Sequence, residues 1–211
     1  MKVKKLTIYL LIAAMAFGTV SCKKSIIGPK VTEENFRGFP ETDGSMFNVD
    51  DIEGGVRLGR CKSKLKDKVI VVPEKIGGEE VIAVEMGAFY ESEAEAIVLP
   101  DTVRVIEESA FLGCEDLKYV YLGAGLKETG DMVFNYCKSI EKIELPEGVE
   151  RINGIIAFNC PALKEIIVPA SVTDIPNGIM LSEDFDGVIK TPAGSAAEKA
   201  ALEEGLKVEN Y

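Results

Sequence analysis

A repeat of 23 residues runs through the middle of this 211-residue chain. The offset is clearest at one turn position, which holds Pro100, Gly123, Pro146, Pro169 and Pro192. Apolar residues keep the same offset in several columns, one of which is Ile97, Val120, Ile143, Ile166 and Ile189. A degenerate earlier copy contains Pro73, which lies 27 residues before Pro100. Apolar columns locked to one period over five or six copies predict a solenoid, because stacked copies bury a core that a single copy cannot bury alone.

Each copy predicts one short strand of a parallel sheet. In "KIELP" the apolar residues alternate, so Ile143 and Leu145 point to the core while Glu144 points outward. The proline ends the strand because it cannot donate to the sheet. We therefore predict a leucine-rich-repeat solenoid over residues 69–192, with a short parallel sheet of about six strands and mostly irregular turns opposite it. On that opposite side we expect a stack of Phe89, Phe111, Phe134 and Phe158.

The repeated segments resemble a known family. "LPDTVRVIEESAFLGCEDLKYVYL" and "LPEGVERINGIIAFNCPALKEIIVP" are similar to the BspA-type leucine-rich repeats of bacterial surface proteins. "TPAGSAAEKAALEEGLKV" is similar to the closing segment of that family. One copy departs from the pattern, with Gly123 in place of proline and Thr129 in place of isoleucine. The resemblance implies a solenoid used for cell-surface binding and adhesion, without shared catalytic residues.

The first residues predict export and a lipid anchor. A basic start, "MKVKK", precedes an apolar run at residues 6–17, which is too short to span a bilayer and is typical of a secretory signal over residues 1–21. The following "TVSC" resembles a bacterial lipobox, which implies that Cys22 is lipidated; ordinary cleavage beside an incidental Cys22 is the alternative. Lys23 implies, by similarity to lipoprotein sorting signals, an outer-membrane lipoprotein of the bacterial cell envelope. Residues 22–45 show no clear period and are expected to be a tether.

Both ends of the solenoid are expected to be covered, because an open end would expose the core. Residues 46–68 are assigned to an N-terminal cap. Residues 193–211 are predicted to form a capping helix and a final segment, since Ser195 and Glu198 make a capping box and Gly205 is a natural stop.

The composition excludes several kinds of chemistry. The chain has no histidine and no tryptophan, so a Ser-His-Asp or Cys-His site cannot be built. A glycosidase would need two carboxylates facing each other across a cleft, and a solenoid surface offers none that we identify. The net charge of −11 makes nucleic acid a poor partner. We expect no catalytic residue, cofactor or bound metal.

Two kinds of surface column cross the predicted strands. One alternates in sign and consists of Lys68, Glu95, Lys118, Glu141 and Lys164. Alternating charges favour ion pairs that set the strand register, because like charges directly opposite would repel. The neighbouring columns give a candidate binding face of Val71, Val98, Tyr119, Tyr121, Lys142, Glu144 and Ile167. Exposed aromatic and apolar residues are typical of binding sites, but strand propensity or cover by another segment would also explain them.

Three cysteines lie in register, at Cys114, Cys137 and Cys160. Equivalent side chains in a stack point in parallel, and three sulfurs in a row cannot make the tetrahedral shell that zinc requires. The matching position of the earlier copy is Ser92, so we interpret the column as small, buried side chains in a narrow part of the core.

These patterns lead to one main functional hypothesis, a non-enzymatic, envelope-anchored lipoprotein that binds a protein or glycan through its sheet face. It would contact the membrane only through its lipid. A structural subunit of an envelope assembly is the alternative, and a hydrolase acting on carbohydrate or peptide is the least favoured reading.

Overall fold

The computed structural model describes residues 31–62, 67–179 and 185–211. The predicted signal peptide and Cys22 lie outside these described residues. Two short 3₁₀ helices, Phe36–Gly38 and Gly44–Met46, precede the first strand, and the helix α1 spans Ala196–Glu203. In chain order the strands are β1 Phe47–Ile52, β2 Gly55–Cys61, β3 Val69–Val71, β4 Lys75–Ile76, β5 Glu79–Val84, β6 Ala96–Val98, β7 Val105–Ile106, β8 Tyr119–Tyr121, β9 Glu128–Thr129, β10 Phe134–Asn135, β11 Lys142–Glu144, β12 Arg151–Ile152, β13 Ala157–Phe158, β14 Glu165–Ile167, β15 Val188–Thr191 and β16 Lys207–Asn210.

The predicted strands form one side of a solenoid. β3, β6 and β8 pair in parallel, and β11, β14, β15 and β16 form a second parallel group. Their central residues point inward, as in the fully buried column Ile143, Ile166 and Ile189. The expected leucine-rich-repeat solenoid is therefore confirmed, and β16 extends its sheet beyond the six strands that the repeat predicts.

A second sheet forms another side of each coil. β2, β5, β7, β9 and β12 are parallel neighbours, and β1 joins β2 as an antiparallel hairpin at one edge. The longer spacing between Pro73 and Pro100 accommodates the small hairpin of β4 and β5, which turns at Gly77 and Gly78. Both glycines have positive φ, 66° and 98°, as such a two-residue turn requires.

Phenylalanines line the third side of the core. The rings of Phe89 and Phe111 lie 5.2 Å apart, and those of Phe111 and Phe134 lie 4.9 Å apart, each pair nearly parallel. The expectation that Phe158 continues this stack is wrong. In the pairing of β10 with β13, Ala157 lies opposite Phe134, so the phenylalanine is displaced by one residue.

The C-terminal end is closed by α1 and β16. The hydroxyl of Ser195 accepts a hydrogen bond from the Glu198 amide at 3.0 Å, which confirms the predicted cap. Ala197 and Ala201 are fully buried against the last coil. Within the described parts of the chain, no helix is long and apolar enough to cross a membrane.

Candidate functional site

The outward side of the parallel strands, called here the sheet face, is divided into a covered half and an open half. The covered half is formed by β3, β6 and β8, and residues 31–39 lie across it. We call residues 31–39 the strap. Val31 and Phe36 of the strap are buried, with 7% and 5% of their surface exposed. They pack on the outward residues Val69, Val71, Ala96 and Val98, and the partly buried Phe39, Tyr119 and Tyr121 join the same cluster.

Two aromatic contacts fix the middle of the strap. The ring of Phe36 stacks on Tyr119, with 5.6 Å between the centroids and 20° between the planes. The guanidinium carbon of Arg37 lies 3.9 Å from the centroid of the Tyr121 ring, within the range of a cation–π interaction. Both predicted tyrosines are therefore occupied by side chains of the same polypeptide.

A carboxylate supports the second of these contacts. The Tyr121 hydroxyl donates a hydrogen bond to Oδ1 of Asp101 at 2.6 Å, and the Ala124 amide donates to the same oxygen at 2.8 Å. These two bonds, with the Ala124 amide contributing most, lower the pKa of Asp101, and the positive charge of Arg37 lowers it further. Burial, followed by the hydrogen bond to Asp101, raises the pKa of Tyr121.

Polar contacts hold the strap near both of its ends. Near its start, a carboxylate oxygen of Glu33 lies 2.7 Å from Nζ of Lys142 on β11, and this partner raises the pKa of Lys142. Just after its end, the Thr42 amide donates to the Val71 carbonyl at 2.8 Å, while the Val71 amide donates to the Thr42 hydroxyl at 3.2 Å. The chain thus crosses from β11 over β8 and β6 to the free edge of β3.

The backbone hydrogen bonds that the strap makes with described residues are local. The amides of Asn35 and Phe36 donate to the Thr32 carbonyl, and the Gly38 amide donates to the Asn35 carbonyl. The contacts that join the strap to the strands are made by side chains. Removal of the strap would therefore leave the pairing of β3, β6 and β8 intact.

The open half is formed by β11, β14, β15 and β16, and no segment among the described residues lies across it. One outward row across these strands is Glu144, Ile167, Lys190 and Glu209. Glu144 is exposed and Ile167 is half-buried. Lys190 lies 2.8 Å from a carboxylate oxygen of Glu165, which raises the pKa of the lysine. The open half therefore presents an apolar side chain framed by fixed charges of both signs.

The predicted charge column is interrupted between the two halves. Glu95 pairs with Lys68 at 3.0 Å and with Lys118 at 2.8 Å, and these lysines, Lys118 first, lower the pKa of Glu95. Lys164 pairs with Glu141 at 3.1 Å. Among the described residues, no ion pair joins Lys118 to Glu141, and no strand pairing joins β8 to β11. The Glu33–Lys142 contact is thus the ion pair by which the strap reaches the open half.

The prediction that residues 22–45 are a tether is wrong for residues 31–45. Residues 31–45 are part of the fold, because the strap buries its apolar side chains and Thr42 bonds to β3. The candidate residues Val71 and Val98, each 9% exposed, lie beneath this cover. Sequence reasoning missed Glu33, Phe36 and Arg37, although large apolar residues at Val31, Phe36 and Phe39 are an available signal in a segment without a period.

The cysteine column lies in the core, away from the sheet face. Cys114 and Cys137 are fully buried and Cys160 is 7% exposed, which confirms the interpretation of buried, small side chains. Each thiol donates to a carbonyl of the preceding coil: Cys114 to Phe89 at 3.0 Å, Cys137 to Phe111 at 3.2 Å and Cys160 to Phe134 at 3.1 Å. Neighbouring thiols and burial raise the pKa of Cys137. The column is therefore a hydrogen-bonded part of the scaffold.

Other surfaces carry fewer functional features. A groove of about 840 Å³ is bordered by Tyr136, Cys160, Leu163, Phe185 and Lys207. In the parts of the chain that the structure describes, no three His, Cys, Asp or Glu side chains are placed to hold a metal ion. None of the predicted binding residues borders this groove.

Short stacked parallel strands, with apolar columns that recur every 23 residues, define a solenoid of the leucine-rich-repeat class. Residues 81–186 match the family model of the BspA type leucine rich repeat region, in six copies. The chain belongs to this family. A search among curated proteins found no match.

Solved bacterial structures share the fold. The T. pallidum leucine rich repeat protein TpLRR is 21% identical with a TM-score of 0.50, covering 81% of this chain and 98% of its own. A leucine rich cell surface protein from Faecalibacterium prausnitzii is 26% identical with a TM-score of 0.58, covering 74% of this chain and 40% of its own. The pneumococcal vaccine antigen PcpA is 14% identical with a TM-score of 0.59, covering 81% of this chain and 49% of its own. This chain thus spans less than half the length of the last two proteins.

Proposed function

We propose that this chain is a non-enzymatic binding protein of the bacterial cell envelope that holds a protein partner on its sheet face. One observation carries the proposal: half of this face already holds a polypeptide, through apolar packing, ring stacking and an ion pair. The open half is formed by the next group of parallel strands of the solenoid and has Ile167 at its centre, framed by charges. Large apolar contacts ringed by polar groups are the usual anatomy of a protein–protein interface.

The contacts favour a protein partner over a glycan. Sugar binding through the tyrosines would need free ring faces, whereas Tyr119 is stacked on Phe36 and Tyr121 lies under Arg37. On the open half, Lys142, Lys190 and Glu165 hold opposite charges in fixed positions. Such paired charges suit the mixed side chains of a protein and give specificity through electrostatic complementarity.

The proposal includes attachment to the envelope through Cys22. The support is the lipobox-like "TVSC" at the end of a secretory signal, together with membership of a repeat family found in a cell surface protein. Lys23 supports the outer membrane as the destination. Incorporation of labelled fatty acid into the expressed chain, compared with a Cys22→Ala chain, tests the anchor. Equal labelling of the two chains would refute it.

A matched pair of substitutions tests the binding face. Ile167→Lys places a charge at the centre of the open half, and Val105→Lys changes a similarly half-buried, outward residue on the second sheet. After crosslinking in cells and affinity purification, the Ile167→Lys chain should recover several-fold less of each partner than the parent chain. The Val105→Lys chain should recover as much as the parent. Equal recovery by both variants would place the partner elsewhere.

A further inference from the structure

We infer that the covered half is a second peptide-binding site, whose resident occupant is the strap and whose partner is a matching segment of another protein. The inference rests on the proposed function and adds the chemistry of the partner. Each contact of the strap indicates one feature that such a segment must have. The floor of Val71, Ala96 and Val98 requires apolar side chains, because uncovering it would expose a continuous apolar surface.

The specific contacts set a spacing. Lys142 forms an ion pair with the carboxylate of Glu33. Three residues after Glu33, the ring of Phe36 stacks on Tyr119, and the guanidinium of the next residue, Arg37, lies over Tyr121. The carboxylate of Asp101 bonds to Tyr121 and adds a negative charge near that guanidinium. The site therefore selects an acidic residue, then an aromatic residue three positions on, directly followed by arginine.

The way the strap is held allows exchange. Among the described residues its backbone hydrogen bonds are internal, so its departure breaks side-chain contacts while the strands beneath keep their pairing. Glu33 and Lys142 are both substantially exposed, with 63% and 40% of their side-chain surface accessible, so their ion pair contributes to the choice of segment more than to the strength with which the strap is held. The strap nevertheless competes as an intramolecular ligand, since a short connection gives an effective concentration of about a millimolar. A partner segment must therefore bind strongly or engage the open half at the same time.

The test uses full-length chains and a dye-labelled synthetic peptide, VTEENFRGF, which is the sequence of residues 31–39. Phe36→Ala/Arg37→Ala loosens the strap, and Glu34→Ala changes an exposed strap residue as the control. Fluorescence anisotropy should show at least about tenfold tighter peptide binding to the loosened chain than to the parent, because the competing strap is weakened. The Glu34→Ala chain should behave as the parent. Adding Tyr119→Ala to the loosened chain should remove the gain.

Several results would overturn the inference. These are equal binding by the loosened and parent chains up to millimolar peptide, equal binding of a scrambled peptide, and a gain that survives Tyr119→Ala. A dimer that requires Phe36 would assign the site to a second copy of this chain and would also overturn it. If circular dichroism shows that the double variant is unfolded, Arg37→Ala alone gives the same comparison, since that side chain is exposed. The Ile167→Lys experiment reports on the open half only, so failure of either experiment leaves the other result standing.

Discussion

The ring of Phe36 stacks on the ring of Tyr119, with centroids 5.6 Å apart. This contact joins a residue of the supposed tether to a strand of the solenoid. Together with the contact between Arg37 and Tyr121, it shows that both tyrosines of β8 are in contact with the chain's own residues 31–39. Among the described residues, none lies across the remaining strands of the face, so this surface has a covered half and an open half.

Phe36→Ala should detach the strap and destabilise the protein. The substitution removes a ring that is only 5% exposed and uncovers the apolar floor formed by β3 and β6. We expect the free energy of unfolding to fall by roughly 2–4 kcal/mol, measured by urea denaturation. Tyr136→Ala, at a ring that is 47% exposed, is the control and should change it by under about 1 kcal/mol. Similar small losses in both variants would show that the strap contributes little to stability.

Cys137→Ala should destabilise the core because it removes a hydrogen bond as well as side-chain volume. The Cys137 thiol donates to the Phe111 carbonyl at 3.2 Å, and alanine leaves that oxygen without this donor. The expected loss is roughly 1–3 kcal/mol in urea denaturation. Cys137→Ser keeps a donor at the position and should be less destabilising than Cys137→Ala. The reverse order would show that packing alone, and not the thiol hydrogen bond, determines the cost.

Cys61 should react with thiol reagents with an unusual pH dependence. Burial raises the pKa of Cys61 to about 11, against an ordinary value near 9. The thiolate is the reactive form, so its fraction and the labelling rate should continue to rise through pH 10. A chain whose only cysteine is Cys61 isolates this labelling rate. In denaturant, the labelling rate of the same chain should level off at the pH expected for a thiol of ordinary pKa. A native rate that levels off at pH 9 would contradict the prediction.

Gly123→Ala should be far more costly than Gly194→Ala. Both glycines have similar positive φ, 80° and 78°, so both substitutions carry the same backbone strain of about 1 kcal/mol. At Gly123 a Cβ would also lie 2.3 Å from the Pro100 carbonyl oxygen, whereas at Gly194 it would meet nothing within 4 Å. We expect the first variant to lose at least about 2 kcal/mol more stability than the second. Equal losses would mean that the coil relaxes around the added methyl group.

Asp101 should titrate below its ordinary range and contribute stability with a defined pH dependence. The Ala124 amide and the Tyr121 hydroxyl lower its folded pKa. A lowered folded pKa gives stability that is present above the unfolded pKa, about 3.9, and is lost as the pH falls through the folded pKa. Carboxyl NMR titration should show an upward shift of the Asp101 midpoint in Tyr121→Phe, which keeps the ring and removes the donor. An unchanged midpoint would show that this hydroxyl has no effect on the carboxylate.

The parts of the fold that repeat were predictable, because each copy restates the same local pattern. The buried column Ile143, Ile166 and Ile189 and the cap at Ser195 follow from periodicity and helix-capping chemistry. The position of Phe158 was predicted wrongly, because β13 is displaced by one residue relative to β10 and Ala157 lies opposite Phe134 in its place. The strap was not predicted because it has no period. Its large apolar residues could indicate burial, but its position depends on tertiary contacts with Tyr119, Tyr121 and Lys142.

A photocrosslinking residue placed at position 167 tests the central claim most directly, because it reports contact at the open half of the sheet face itself. The same residue at position 105, on the second sheet, is the control. In cells that express the full-length chain, we predict discrete crosslinked protein adducts from position 167 and none from position 105. Adducts from position 105 alone, or equal adducts from both positions, would contradict the assignment of the sheet face as the protein-binding surface.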